Sequence, residues 1–265
     1  MKAIGKYTWI GYTSVRSSLA YWGEIAARAI FMAMILYIFM RLWTAVYEGV
    51  GADRLGGLSL KQMLWYLMIT EAIVLSSPRV SVEVDEDVRT GRLGVQLLRP
   101  LSYTLFLMAK ALGERAVRFT MNIVSGSIVT LILVGPIPMS LSGLAMFALI
   151  VPVAFALDFL ASLFIGLFAF WLESTAGLWI LYSRLTMLLG GMLMPIEIFP
   201  DRLQPVLRNL PFAMMVYGPA RIFVAPNGRT LLSTAVSQIW GLAAFSIAVS
   251  IIQSIALQRI QSNGG

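Results

Sequence analysis

SPRVSVEVDEDVRTGRLGVQLLRP, residues 77–100, is the one long and heavily charged run in a chain otherwise made of apolar blocks. Glu83, Asp85, Glu86 and Asp87 crowd together; Arg89, Arg92 and Arg99 follow, with Gly91 and Gly94 as breaks and Pro100 as a stop. Such a run cannot sit in hydrocarbon, because each charge at a bilayer centre costs about 2.5–3.5 kcal/mol even on lenient scales. It therefore lies in water between two membrane spans, or against a soluble partner. A charge run is ordinarily a solvated loop. Here Val80, Val82, Val84 and Val88, then Leu93, Leu97 and Leu98, predict short amphipathic helices with a face to bury.

Composition sets the surroundings. Hydrophobic residues make up 58% of the 265 and charged residues 12%, against roughly 25% charged in a soluble domain. Mean hydropathy is +0.81. This is the composition of a polytopic membrane protein. The chain has neither cysteine nor histidine, which excludes disulfides and thiolate metal sites and removes the commonest metal ligand and general base. Its net charge of +7 comes from basic residues scattered between apolar blocks. That pattern fits an anionic leaflet better than nucleic acid, which is not an expected partner.

Residues 1–23 carry Lys2, Lys6 and Arg16 among Tyr7, Trp9, Tyr12, Tyr21 and Trp22, without the continuous apolar core of a signal peptide. Ile4, Gly11, Val15, Leu19 and Trp22 fall at helical spacings. They predict an amphipathic helix lying in the membrane interface, in contact with lipid; a disordered basic tail is the alternative.

A span needs about 20 mostly apolar residues. The first is predicted from Ile25 to Trp43, with Glu24 and Arg28 paired four residues apart and Arg41 snorkelling beside Trp43 and Tyr47. The second is Lys61 to Ser77 and contains Glu71. Lys110, Glu114, Arg115 and Arg118 mark residues 103–118 as helix still partly in water. From Phe119 to Leu157 no charge appears. That run is too long for one span and breaks at Gly135-Pro136-Ile137-Pro138, which predicts a hairpin of spans three and four, the latter continuing past Asp158 to Leu172. After the short turn Glu173-Ser174-Thr175 come span five, Ala176 to Met194 around Arg184, and span six, Thr230 to Gln258. The expected fold is all-α, a single domain over residues 1–265 with six transmembrane helices. Lys and Arg are denser in the N-terminal segment, the loop after span two and the tail than on the opposite side, which predicts both termini cytoplasmic.

Between spans five and six, Pro195, Pro200, Pro205, Pro211 and Pro219 alternate with apolar residues. The stretch is too interrupted to span and too apolar for an ordinary loop. Residues 195–222 are therefore predicted as two short re-entrant helices dipping into the outer leaflet, where protein or water must satisfy the backbone that the prolines free. Glu71, Asp158 and Arg184 remain inside predicted spans. Such residues face a bundle interior and pair, either as charges on a translocation path or as a structural ion pair of Arg184 with one of the acids.

The order of these parts resembles the permease subunit of an ABC-2 type transporter. Residues 89–102, RTGRLGVQLLRPLS, resemble the G-x-L-x-x-x-L-L-x-P signature of a six-span branch, and residues 192–212 carry its P-x-x-x-F-P and L-P-F elements. The resemblance implies that residues 79–102 form a cytoplasmic coupling region docked on an ATPase. Glu83, Asp85, Glu86, Asp87, Arg89, Gly91, Arg92, Leu97, Leu98 and Arg99 would form that contact, with a second one at Glu173. It further implies a half-transporter of a bacterial cytoplasmic membrane. Such a protein pairs with a second permease, identical or not, binds two copies of the ATPase, and moves a hydrophobic or amphipathic solute outward. No G-x-x-x-x-G-K-[ST] occurs in the chain, so no cofactor is expected on it, and ATP with Mg is expected on the partner. Two other classes stand beside this one. A membrane-embedded lipid-modifying enzyme would have to work with Asp, Glu, Lys or Tyr, and a non-transporting scaffold or sensor needs no chemistry at all.

Overall fold

The computed structural model describes residues 2–19, 22–98 and 100–263. Along them run twelve α-helices. The first six are α1 (Lys2–Leu19), α2 (Trp22–Val50), α3 (Leu60–Leu75), α4 (Val80–Arg89), α5 (Arg92–Leu97) and α6 (Tyr103–Val134). The others are α7 (Leu141–Leu167), α8 (Ala176–Leu189), α9 (Gln204–Asn209), α10 (Pro211–Met215), α11 (Tyr217–Val224) and α12 (Gly228–Asn263).

Helix α3 holds the assembly together. Met63 through Ile73 are buried without interruption, with α2, α6 and α11 packed around them. Ser59 starts the helix through a reciprocal capping box with Gln62. The polar side chains of α3 take up backbone carbonyls just where neighbouring helices end. Trp65 Nε1 donates to Gly135 O (3.1 Å), Tyr66 Oη to Gly191 O (2.5 Å), Thr70 Oγ1 to Met192 O (3.1 Å) and Gln62 Nε2 to Val224 O (3.3 Å). A bilayer interior offers those carbonyls no water, so a protein donor must be supplied.

Among the described residues four helices are long and apolar enough to cross a membrane: α2, α6, α7 and α12. The uncharged hairpin is present as expected, with its turn between Val134 and Leu141. Helices α3 and α8 are shorter, at 16 and 14 residues, which is about 24 and 21 Å. The fifth predicted segment ends at Leu189 rather than Met194, because the chain turns at Gly190-Gly191 and Gly191 adopts φ +74°. The last helix is longer than predicted and runs to Asn263.

The proline-rich segment forms three short α-helices instead of two. Pro205 and Pro211 stand in the first turns of α9 and α10, where a missing N–H breaks no helical hydrogen bond. Helix α11 packs on α3 and α7, with Ala220 and Ile222 fully buried.

Helix α1 does not rest on an interface alone; it lies along the first half of α6. A Cβ on Gly113 would sit 2.5 Å from Gly11 O, so the two backbones touch at a glycine crossing. Ser14 Oγ donates to Lys110 O (2.9 Å) and Ser102 N to Tyr7 Oη (3.1 Å). Gly11 and Val15 belong to the packed face as expected, whereas Leu19 is exposed along with Trp9 and Tyr12. The side chains of Ile4, Trp22 and Glu24 lie outside the described residues. A bulky side chain at this crossing would have no room, so Gly113→Leu is expected to detach α1. Increased proteolysis of residues 2–19 in detergent is the readout.

Candidate functional site

The charged run forms α4 and α5, joined at Gly91, which adopts φ +71°. A left-handed residue there lets the chain reverse from one helix into the next at no steric cost. Helix α4 packs on α7 at Gly166, where an added Cβ would lie 2.8 Å from Val84 Cβ and 3.0 Å from Ser81 Cα. Val80, Val84 and Leu93 are buried, together with Phe159, Leu163 and Leu167 of α7.

The acids of this run do not share one face. Asp87 is buried: its Oδ2 accepts from Tyr103 Oη and Gln96 Nε2, both at 3.0 Å, and Oδ1 pairs with Arg92 Nε at 3.3 Å. Asp85 Oδ1 accepts from Thr175 N at 3.2 Å, and its Oδ2 lies 3.8 Å from Arg89. Glu83 pairs with Lys110 at 2.5 Å. Asp85, Asp87 and Glu83 thus fasten the element to α6 and to the turn before α8; Asp85 and Asp87 are buried rather than on the outer face, and Glu83 is half-buried. The helical period sets Glu83 and Asp87 three residues on from Val80 and Val84, and Asp85 four residues on from the buried Ser81. What faces outward is Glu86, Arg89 and Arg92, with Val82, Val95, Leu97 and Leu98, the last 86% exposed. Gly91, Gly94 and Glu173 are exposed as well. Arg99 lies outside the described residues.

Beneath α4 is a cavity of about 850 Å³, bounded by α1, α6, α7, α8 and the link between α3 and α4. Asp158 is the hub of its inner end. Its Oδ2 accepts from Arg115 Nη1 (2.5 Å) and Ser77 Oγ (2.6 Å), and Oδ1 from Tyr182 Oη (2.5 Å). Arg115 also donates to Ile73 O (3.2 Å) and lies over the Phe155 ring, 4.0 Å from its centroid. The expected pairing of Arg184 is corrected: Arg184 is exposed on α8 and pairs with neither acid. Its position in an apolar run suggested burial, but α8 presents that side outward. Glu71 is fully buried, yet neither carboxylate oxygen has a hydrogen-bond partner.

Sequence reasoning missed Arg115, Ser77, Tyr182, Lys110 and Tyr103. Arg115 stood among charges that marked a wet helix end, 43 residues from the acid it meets. No spacing rule connects positions that far apart.

A smaller polar pocket, about 500 Å³, lies between α9–α11 and α12. Glu197 is its centre, accepting from Tyr217 Oη and pairing with Arg221 at 3.4 Å and Arg208 at 3.6 Å. Burial, with the Glu197 carboxylate beside it, raises the Tyr217 phenol above its ordinary value.

No curated protein matches this chain. The family model described as ABC-2 family transporter protein matches residues 30–264. A multi-pass helical membrane protein matched over nearly its whole length in this way belongs to the ABC-2 transporter family.

Proposed function

We propose that the chain is the permease subunit of an ATP-driven exporter in a bacterial cytoplasmic membrane. It works as a half-transporter, paired with a second permease and with two copies of an ATPase that binds ATP and Mg. Helices α3 and α8 complete six crossings with α2, α6, α7 and α12. Helix α3 can be short because protein encloses it and it has little lipid to match. Six crossings put both termini on one side, which the Lys and Arg distribution makes the cytoplasm, and residues 195–222 on the opposite side, as re-entrant pieces of the outer leaflet.

The observation that carries the reading is the two-sided character of α4–α5. One side is fixed to α6 and α7 by buried acids and valines. The other offers Glu86, Arg89, Arg92, Val95, Leu97 and Leu98 to solvent. An anchored element with an exposed face of mixed charges and apolar side chains is suited to dock a partner. ATP-driven closure of the ATPase pair would push this element, and its packing at Gly166 would pass the push to α7 and the cavity.

The decisive test is Val95→Asp with Leu98→Asp. Both side chains are exposed, so membrane insertion and detergent stability should match wild type. Unpaired charges in a docked interface cost about 2–5 kcal/mol, so copurification of the ATPase should fall at least tenfold. Undiminished ATPase binding would remove α4–α5 as the coupling element. Orientation is checked separately in this Cys-free chain. Cysteines at Asp53 and Asn227 should react with an impermeant maleimide on intact cells, and one at Thr90 should not.

A further inference from the structure

We propose that the cavity beneath α4 binds the anionic headgroup of an amphiphile, and that this is the class of molecule the permease carries; the second clause rests on the exporter reading above. Every acid lining the cavity already has its own cation: Glu83 with Lys110, Glu114 with Arg118, Asp158 with Arg115. Both oxygens of Asp158 are further occupied by Ser77 and Tyr182. No carboxylate of the cavity is left over for a cationic guest.

Donors, by contrast, are in surplus. Arg115 is only 2% exposed, lines the cavity, and keeps its Nε–H without an acceptor. A buried guanidinium N–H without a partner is costly. It is an unsatisfied donor in the wall of the cavity. Arg79 lines the same cavity, is exposed, and has no ion pair with a carboxylate among the described residues. Its guanidinium stands 5.5 Å from the centroid of the Trp179 ring, so an aromatic face holds it in place without neutralising it. Two guanidinium donors without a carboxylate to spare call for a ligand that brings acceptors, such as a carboxylate, sulfate or phosphate. The rest of the lining mixes Arg28 and the hydroxyls of Ser14, Ser17, Ser18, Ser183 and Thr186 with apolar Leu75, Met121, Met215 and Val216. A free small anion would leave that apolar surface unused, whereas an acyl or alkyl tail covers it.

The test uses the purified full chain in non-ionic detergent, with 11-(dansylamino)undecanoic acid as the fluorescent probe. Saturable binding is expected, with displacement by dodecyl phosphate and laurate. Inorganic phosphate and dodecyltrimethylammonium should not displace it. Arg79→Glu, a change at an exposed position, should weaken probe binding about tenfold. Arg184→Glu, an exposed cation outside the cavity, should leave it unchanged. Displacement by the quaternary ammonium as effective as by dodecyl phosphate would overturn the assignment, and so would displacement by inorganic phosphate alone. Equal binding by wild type and Arg79→Glu would reduce the signal to partition into detergent and sink the proposal. The measurement contains no ATPase, so its failure leaves the permease reading standing, and loss of ATPase coupling leaves this result standing.

Discussion

Arg115→Leu is expected to destabilise the bundle by about 3–5 kcal/mol, the range for removing one partner of a buried ion pair. Arg115 and Asp158 are 2% and 5% exposed, so the stranded carboxylate cannot turn to water. Ser77 and Tyr182 would still donate to it, but neutral hydroxyls do not balance its charge. The measurement is the yield of monodisperse protein in detergent and its midpoint of thermal unfolding. Adding Asp158→Leu should recover part of the loss, because an apolar pair of similar volume no longer buries a charge. Arg184→Leu should change either quantity little, since that side chain is exposed. If Arg115→Leu purified and melted like wild type, the pair with Asp158 would not be a structural one.

The second large effect separates two adjacent acids. Asp87→Lys is expected to lower folded yield severely, whereas Glu86→Lys leaves it near normal. The side chain of Asp87 is 4% exposed and that of Glu86 is 61% exposed. Lysine at 87 would place a buried cation beside Arg92 and leave the Tyr103 hydroxyl and the Gln96 amide without their acceptor. Breaking a buried charged cluster in this way costs about 3–5 kcal/mol. Lysine at 86 loses only a solvent-exposed ion pair with Arg92, worth about 0–1 kcal/mol. Protease accessibility of residues 79–102 and detergent stability together read the contrast. Equal tolerance of the two changes would mean that α4 does not pack on the bundle as described.

The two experiments probe one chain of contacts from opposite ends. Asp87 and Asp85 hold α4 against α6 and the turn before α8, Gly166 sets α4 against α7, and Asp158 of α7 ties that helix to α6 and α8.

Much of this was legible in the sequence because it depends on local composition. Apolar runs gave the long helices α2, α6, α7 and α12. The uncharged stretch broken at Gly135-Pro136 gave the hairpin, and the charge run with its glycine gave α4 and α5. Prolines in first turns gave the broken segment before α12. The same rules erred where the outcome depends on which side of a helix meets another. They put Arg184 inside and Arg115 in water, and they treated Asp85, Glu86 and Asp87 as one outward-facing group. A helix places residues three or four apart on one face, so sequence fixes which residues travel together. Which face turns inward is decided by the neighbours, and here those neighbours come from 16 to 90 residues away. Composition by itself determined a helical membrane protein with a water-exposed charged element. Only tertiary packing decided which charges are buried and paired, because the partners of Asp85, Asp87 and Asp158 are brought from distant parts of the chain.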